Sequence, residues 1–154
     1  MATTELLAEL RHECETGKLA TVPCNFTPEG DSEPYHHMVT VGANCPLCSG
    51  SLHIPNPALA SLLALTRDKC KWPDHRPLHG QPCDCGGTGF FDRDISGLRP
   101  GELLGGIIAA WLATRTLVVT PDWWMNWHRK LETATTAEVA LLGMLAALRE
   151  AGNE

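Results

Sequence analysis

The chain has no surplus of basic charge: 12 lysines and arginines stand against 18 aspartates and glutamates in 154 residues, a net charge of −6. Without a sequence-wide positive field there is no long-range steering toward nucleic acid or an anionic membrane, so any nucleic-acid contact has to be local. Long hydrophobic runs are missing as well. The longest nearly apolar stretch, Leu103 to Ala113, stops at Thr114 and Arg115, short of the ~18 to 20 residues that a membrane-spanning helix needs. It is expected to be a buried helix. The opening MATTELLAELRHE has no cationic start, apolar centre or small-residue cleavage site, so no secretory signal is expected and the predicted compartment is the cytoplasm. HExxH, GxSxG and Walker A patterns are absent, and Pro82-Cys83-Asp84-Cys85 is one residue too short for the H-x-E…P-C-x-x-C deaminase signature. The expectation is a non-enzymatic protein. No repeat of solenoid period is found.

What the sequence does have is cysteine, seven in all, with an apolar content of 44%. That apolar share is ordinary for a globular chain, and the length suits one domain, or one domain with a small module. An odd number of cysteines without an export signal reads as metal ligands or thiols before it reads as a disulfide framework.

Periodicity gives a mostly helical α+β fold. Leu6, Leu7, Leu10 and Cys14 fall at helical spacing, and Gly17 follows where a helix end favours a residue tolerant of positive φ. An N-terminal amphipathic helix is placed in 1–22, with Cys14 as a small core residue. Val22 to Pro34, rich in proline and polar residues, reads as a loop. Tyr35 to Val41 reads as a strand, with Ser51 to Ile54 as its hairpin partner. Pro57 opens a short helix over 57–67, and FFDRDI after the glycine-rich Cys83–Gly89 turn reads as a further strand. A zinc-ribbon-like module is therefore expected over 35–95.

A helical bundle is expected over 101–152. Gly105 and Gly106 would let another backbone approach closely, Thr120 and Pro121 would start one helix, and Thr135 with Glu138 has capping-box spacing for the last.

Zinc takes thiolate and imidazole ligands tetrahedrally, and a tight turn bearing two cysteines supplies two corners. Cys45-Pro46-Leu47-Cys48 does so with Ser49 and Gly50 behind it; Cys83-Asp84-Cys85 is followed by Gly86, Gly87 and Gly89. Cys45, Cys48, Cys83 and Cys85 are the predicted ligands of one structural zinc ion. A closed four-thiolate site stabilises without catalysing, because no coordination position is left open. Cys70, His75 and His79 compete for the same corners, or for a second ion, and Cys24 could replace one ligand. His36 and His37, on a strand, point to opposite faces and are set aside.

CPLCSGSL and CDCGGTG resemble degenerate copies of the C-x-x-C-x-G-x-G knuckle of the DnaJ-type cysteine-rich domain, and the first is also similar to rubredoxin-type knuckles. The resemblance spans about a tenth of the chain, Leu52 replaces the final glycine of the first copy, and no J-domain signature accompanies it. It implies zinc binding and no chaperone role.

Trp123, Trp124 and Trp127 crowd one helix and are either bundle anchors or a partner-docking surface. The last helix, apolar on nearly every side, calls for a protein partner or a second subunit. Two alternatives stand beside an interaction or regulatory role. One is a nucleic-acid-binding ribbon using the basic loop 67–76, disfavoured by the acidic balance. The other is a zinc hydrolase using Cys70, His75 and His79, with a carboxylate such as Asp74 or Asp92 as base.

Overall fold

A computed structural model describes residues 2–24, 48, 50–70, 85, 89–116 and 121–151. The described chain is predominantly helical, with helices α1 (Thr3–Thr16), α2 (Ala60–Ala64), α3 (Pro100–Ala113), α4 (Pro121–Glu132) and α5 (Ala137–Ala151). Two small antiparallel sheets complete it: β1 (Thr21–Pro23) with β2 (His53–Pro55), and β3 (Arg67–Lys69) with β4 (Phe90–Asp92). This is the mostly helical α+β fold that the periodicity predicts.

Helix starts follow their local chemistry. The backbone N–H of Ala2 donates to the Glu5 carboxylate at 3.0 Å, and that of Arg99 to Glu102 at 3.1 Å. In each case a glutamate in the first turn satisfies an orphan donor and meets the positive end of the helix dipole. At α5 the side-chain cap is Thr136, whose Oγ1 accepts from the Val139 N–H at 3.2 Å. Thr135, the residue expected from spacing, is displaced by its neighbour of identical chemistry. The expected cap Thr120 lies outside the described residues.

Two glycine expectations are corrected. Gly17 is extended (φ −70°, ψ 174°), and what demands glycine is space: a Cβ there would sit 2.5 Å from the Glu13 carbonyl oxygen. At Gly105 an added Cβ meets nothing within 4 Å, and at Gly106 only a Leu65 methyl at 3.7 Å. Among the described residues no backbone approaches either of them, so the pair marks no close helix crossing there.

One core joins the helices. Leu6, Leu10, Leu59, Leu62, Ile107, Trp111, Leu141, Met144 and Leu145 are buried almost completely, and each such side chain contributes about 1.5–3 kcal/mol. Helix α5 lies against α1, α3 and α4, while α2 packs on α1 and α3. Cys14 is part of this core, as expected. Its thiol is pushed up to about 12, chiefly by burial and then by the neighbouring Glu13 and Glu15 carboxylates, which leaves it a protonated, unreactive packing group.

The strands show a pairing that the sequence did not suggest. β2 pairs with Thr21–Pro23, which runs into the stretch from Val22 that reads as loop in sequence, with Val22 opposite Ile54. The expected strand at Tyr35–Val41 lies outside the described residues. β4 falls within the FFDRDI segment as expected, and its partner Arg67–Lys69 takes the first residues of the expected basic loop.

Candidate metal centre

The two sheets are built alike, position by position. Each is entered through a turn closing a helix, in which Ala20 N–H donates to Gly17 O (3.0 Å) and Thr66 N–H to Leu63 O (2.9 Å). Ala20 and Thr66 are both buried. Their carbonyls accept from the residues just past the second strands, Asn56 N–H at 2.9 Å and Arg93 N–H at 3.1 Å.

Past the other end, the residue following each first strand is a cysteine. The Cys24 N–H donates to Leu52 O and the Cys70 N–H to Gly89 O, both at 2.8 Å. Leu52 and Gly89 each immediately precede their second strand, and each has positive φ, 67° and 84°. Four residues before them stand Cys48 and Cys85. The four cysteines Cys24, Cys48, Cys70 and Cys85 are all buried, none exposed above 8%.

The turn after Cys48 is shaped by two left-handed residues, Gly50 (φ 92°) and Leu52, with Ser51 N–H donating to Cys48 O at 3.0 Å. Glycine takes this conformation without cost, whereas leucine pays about 1–2 kcal/mol of steric strain. The turn brings Cys48 and Cys24 into one small cluster with the half-buried Ile54, separate from the main core.

Cysteine pairs held at the end of a strand ladder suit a thiophilic ion. Among the described residues no three metal-ligating side chains come together. Of the predicted ligands, Cys48 and Cys85 are described, in turn positions ahead of β2 and β4 respectively, and so is the competing Cys70; Cys45, Cys83, His75 and His79 lie outside the described residues. Cys24, given only a substitute's role by sequence, stands beside Cys48. The signal that could have found it is the single cysteine preceding each cysteine pair: Cys24 before Cys45 and Cys48, Cys70 before Cys83 and Cys85.

The tryptophans face inward. Trp123 is buried against Trp111, with ring centroids 6.1 Å apart. Trp124 stacks on His128 at 4.7 Å, and Trp127 donates its indole N–H to Glu150 at 3.0 Å under the Lys130 ammonium. Both are half-buried against the main core. Arg67, first residue of the basic segment, pairs with Glu15 at 2.9 Å and lies over the Phe90 ring at 3.8 Å. Asp92, one candidate base, pairs with Arg11. These two ion pairs tie the second sheet to α1.

No protein-family model matches the chain, and neither does any curated protein or solved structure. Among the described residues no helix is long and apolar enough to cross a membrane.

Proposed function

We propose that this chain is a zinc-binding, non-enzymatic protein of interaction or regulatory role, in which zinc is structural. The observation that carries the reading is the contrast between the two parts of the molecule. The helices share a large apolar core, whereas the first sheet has three-residue strands whose described apolar cluster is Cys24, Cys48 and Ile54. A two-stranded ladder of that size is not stable alone, and thiolates at its end turn metal affinity into folding free energy.

The test is chelation followed by residue-resolved hydrogen exchange. Zinc removal is expected to release the amides of Cys24 and Ile54 while those of α1, α3 and α5 keep their protection. Unchanged protection of the ladder in metal-free protein would refute a structural zinc.

For the partner we commit to a second copy of this chain meeting it along α5. Val139 and Leu142 stay 51% and 48% exposed on this helix, and Ala146 continues their row. An uncharged helical stripe is self-complementary, as a two-fold interface requires. Light scattering should give a dimer that Leu142→Glu converts to monomer; a monomeric wild-type chain refutes this part. The nucleic-acid alternative gains no support from Arg67, whose charge already meets Glu15, and absence of salt-sensitive binding at low ionic strength would dismiss it.

A further inference from the structure

We infer that the chain holds two zinc ions, one at the end of each strand pair, with Cys24 and Cys48 among the ligands of the first and Cys70 and Cys85 among those of the second. The inference rests on the zinc reading above and replaces a single site of Cys45, Cys48, Cys83 and Cys85 with two sites divided differently.

The reason is the repeated geometry. Three backbone hydrogen bonds and the strand register of one unit have counterparts in the other: the entry turn, the helix-proximal rung and the rung at the cysteine end, around three paired positions. The cysteine-end rung fixes each first-strand cysteine opposite a positive-φ residue that stands four residues after the other cysteine. The rung that holds Cys24 at the end of the first ladder, where it meets Cys48, has its counterpart at Cys70, and Cys85 stands four residues ahead of its rung partner as Cys48 does. Four side chains of one chemical type occupy equivalent places in two frames, and all four are buried although each sits in a turn or directly beyond a strand.

A single ion shared between the frames does not fit this arrangement. Cys24 and Cys70 are each tied by a backbone hydrogen bond to their own ladder, and among the described residues no three of these cysteines come together. In sequence each unit has one more cysteine close at hand, Cys45 for the first and Cys83 for the second. That gives three sulfurs per unit and leaves Cys14, buried in the helical core, outside both. Binding requires thiolates, so each ion displaces the thiol protons of its own unit.

The experiment is metal analysis of the purified full chain, repeated on single variants. Two zinc ions per chain are expected, falling to one in Cys24→Ser and to one in Cys70→Ser, and staying at two in Cys14→Ser. Cadmium-113 NMR of the wild-type chain gives the same answer without any variant, as two resonances in the thiolate region. The residual cadmium resonance in Cys24→Ser should be the one that Cys70→Ser removes.

One ion per chain, lost with either substitution, would overturn the two-site assignment while leaving zinc binding intact. Two ions retained in Cys24→Ser or in Cys70→Ser would overturn the ligand assignment. A wild-type chain that binds no zinc would overturn the underlying reading itself.

Discussion

Replacing Leu52 by glycine and by alanine isolates the strain in the first cysteine turn. Leu52 is a leucine at φ 67°, half exposed at 49%. Losing its buried half costs about 1 kcal/mol in either variant. Alanine keeps the left-handed strain; glycine relieves about 1–2 kcal/mol of it and gives back about 0.5–1 kcal/mol through the greater freedom of the unfolded chain. Glycine should therefore exceed alanine by about 0.5–1 kcal/mol, reversing the usual order of the two residues. Because the Cys24 amide donates to the Leu52 carbonyl, its hydrogen-exchange protection in zinc-loaded protein reads the local opening directly. The protection should fall severalfold in Leu52→Ala and recover part of that loss in Leu52→Gly. Equal or greater protection in the alanine variant would refute the argument from φ. The mirror variant Gly89→Ala, at φ 84°, should weaken Cys70 protection in the same way.

Gly105→Ala should stabilise the chain by about 1 kcal/mol, because the residue is exposed within α3 and an added methyl meets nothing; urea unfolding at constant m-value measures it. Thr136→Ala should cost about 1 kcal/mol and Thr136→Asn should restore most of it, since the side chain caps α5; thermal melts distinguish the three proteins. The folded chain holds the Cys14 proton more tightly than the unfolded chain. Its contribution is therefore complete below the ordinary thiol value of 9.0 and is lost as pH rises toward about 12. The stability difference between wild type and Cys14→Ala should narrow from pH 8 to pH 10.5 in chemical denaturation, about the range where free thiols titrate.

The helices were legible because their burial is periodic: Leu6, Leu7, Leu10 and Cys14 are the buried residues of α1, as their spacing predicts. In the α3 run expected to be buried, Ile107, Ala110 and Trp111 are buried while Leu112 is exposed. Strand β1 was illegible for the opposite reason. Three residues, one of them Pro23, are too few to show a period of two, and their partner lies beyond a long connection, so no local turn announces the pairing. Tyr35–Val41, outside the described residues, is the more strand-like stretch in composition, so sequence alone offers it and not Thr21–Pro23 as a partner for Ser51–Ile54. The turn after Cys48 could be read because the spacing of Cys48 and Gly50 is local. The association of Cys24 with it depends on the ladder and could not be. For the tryptophans, identity suggested both docking and anchoring, and only the positions of Trp111, His128 and Glu150 show which way the rings turn.

The placement of α2 has a mechanical consequence. The chain leaves β2 through Pro57–Leu59, passes through α2 and enters β3 after Thr66, with Leu59 and Leu62 sunk in the core. Both ladders are thus clamped at the helix end, where Ala20 and Thr66 are buried, and carry their cysteines at the opposite end. A disturbance at either cysteine end has only three ladder positions to cross before it meets a fixed support. Each tip can therefore loosen or stiffen while the bundle beneath it and the neighbouring tip keep their form.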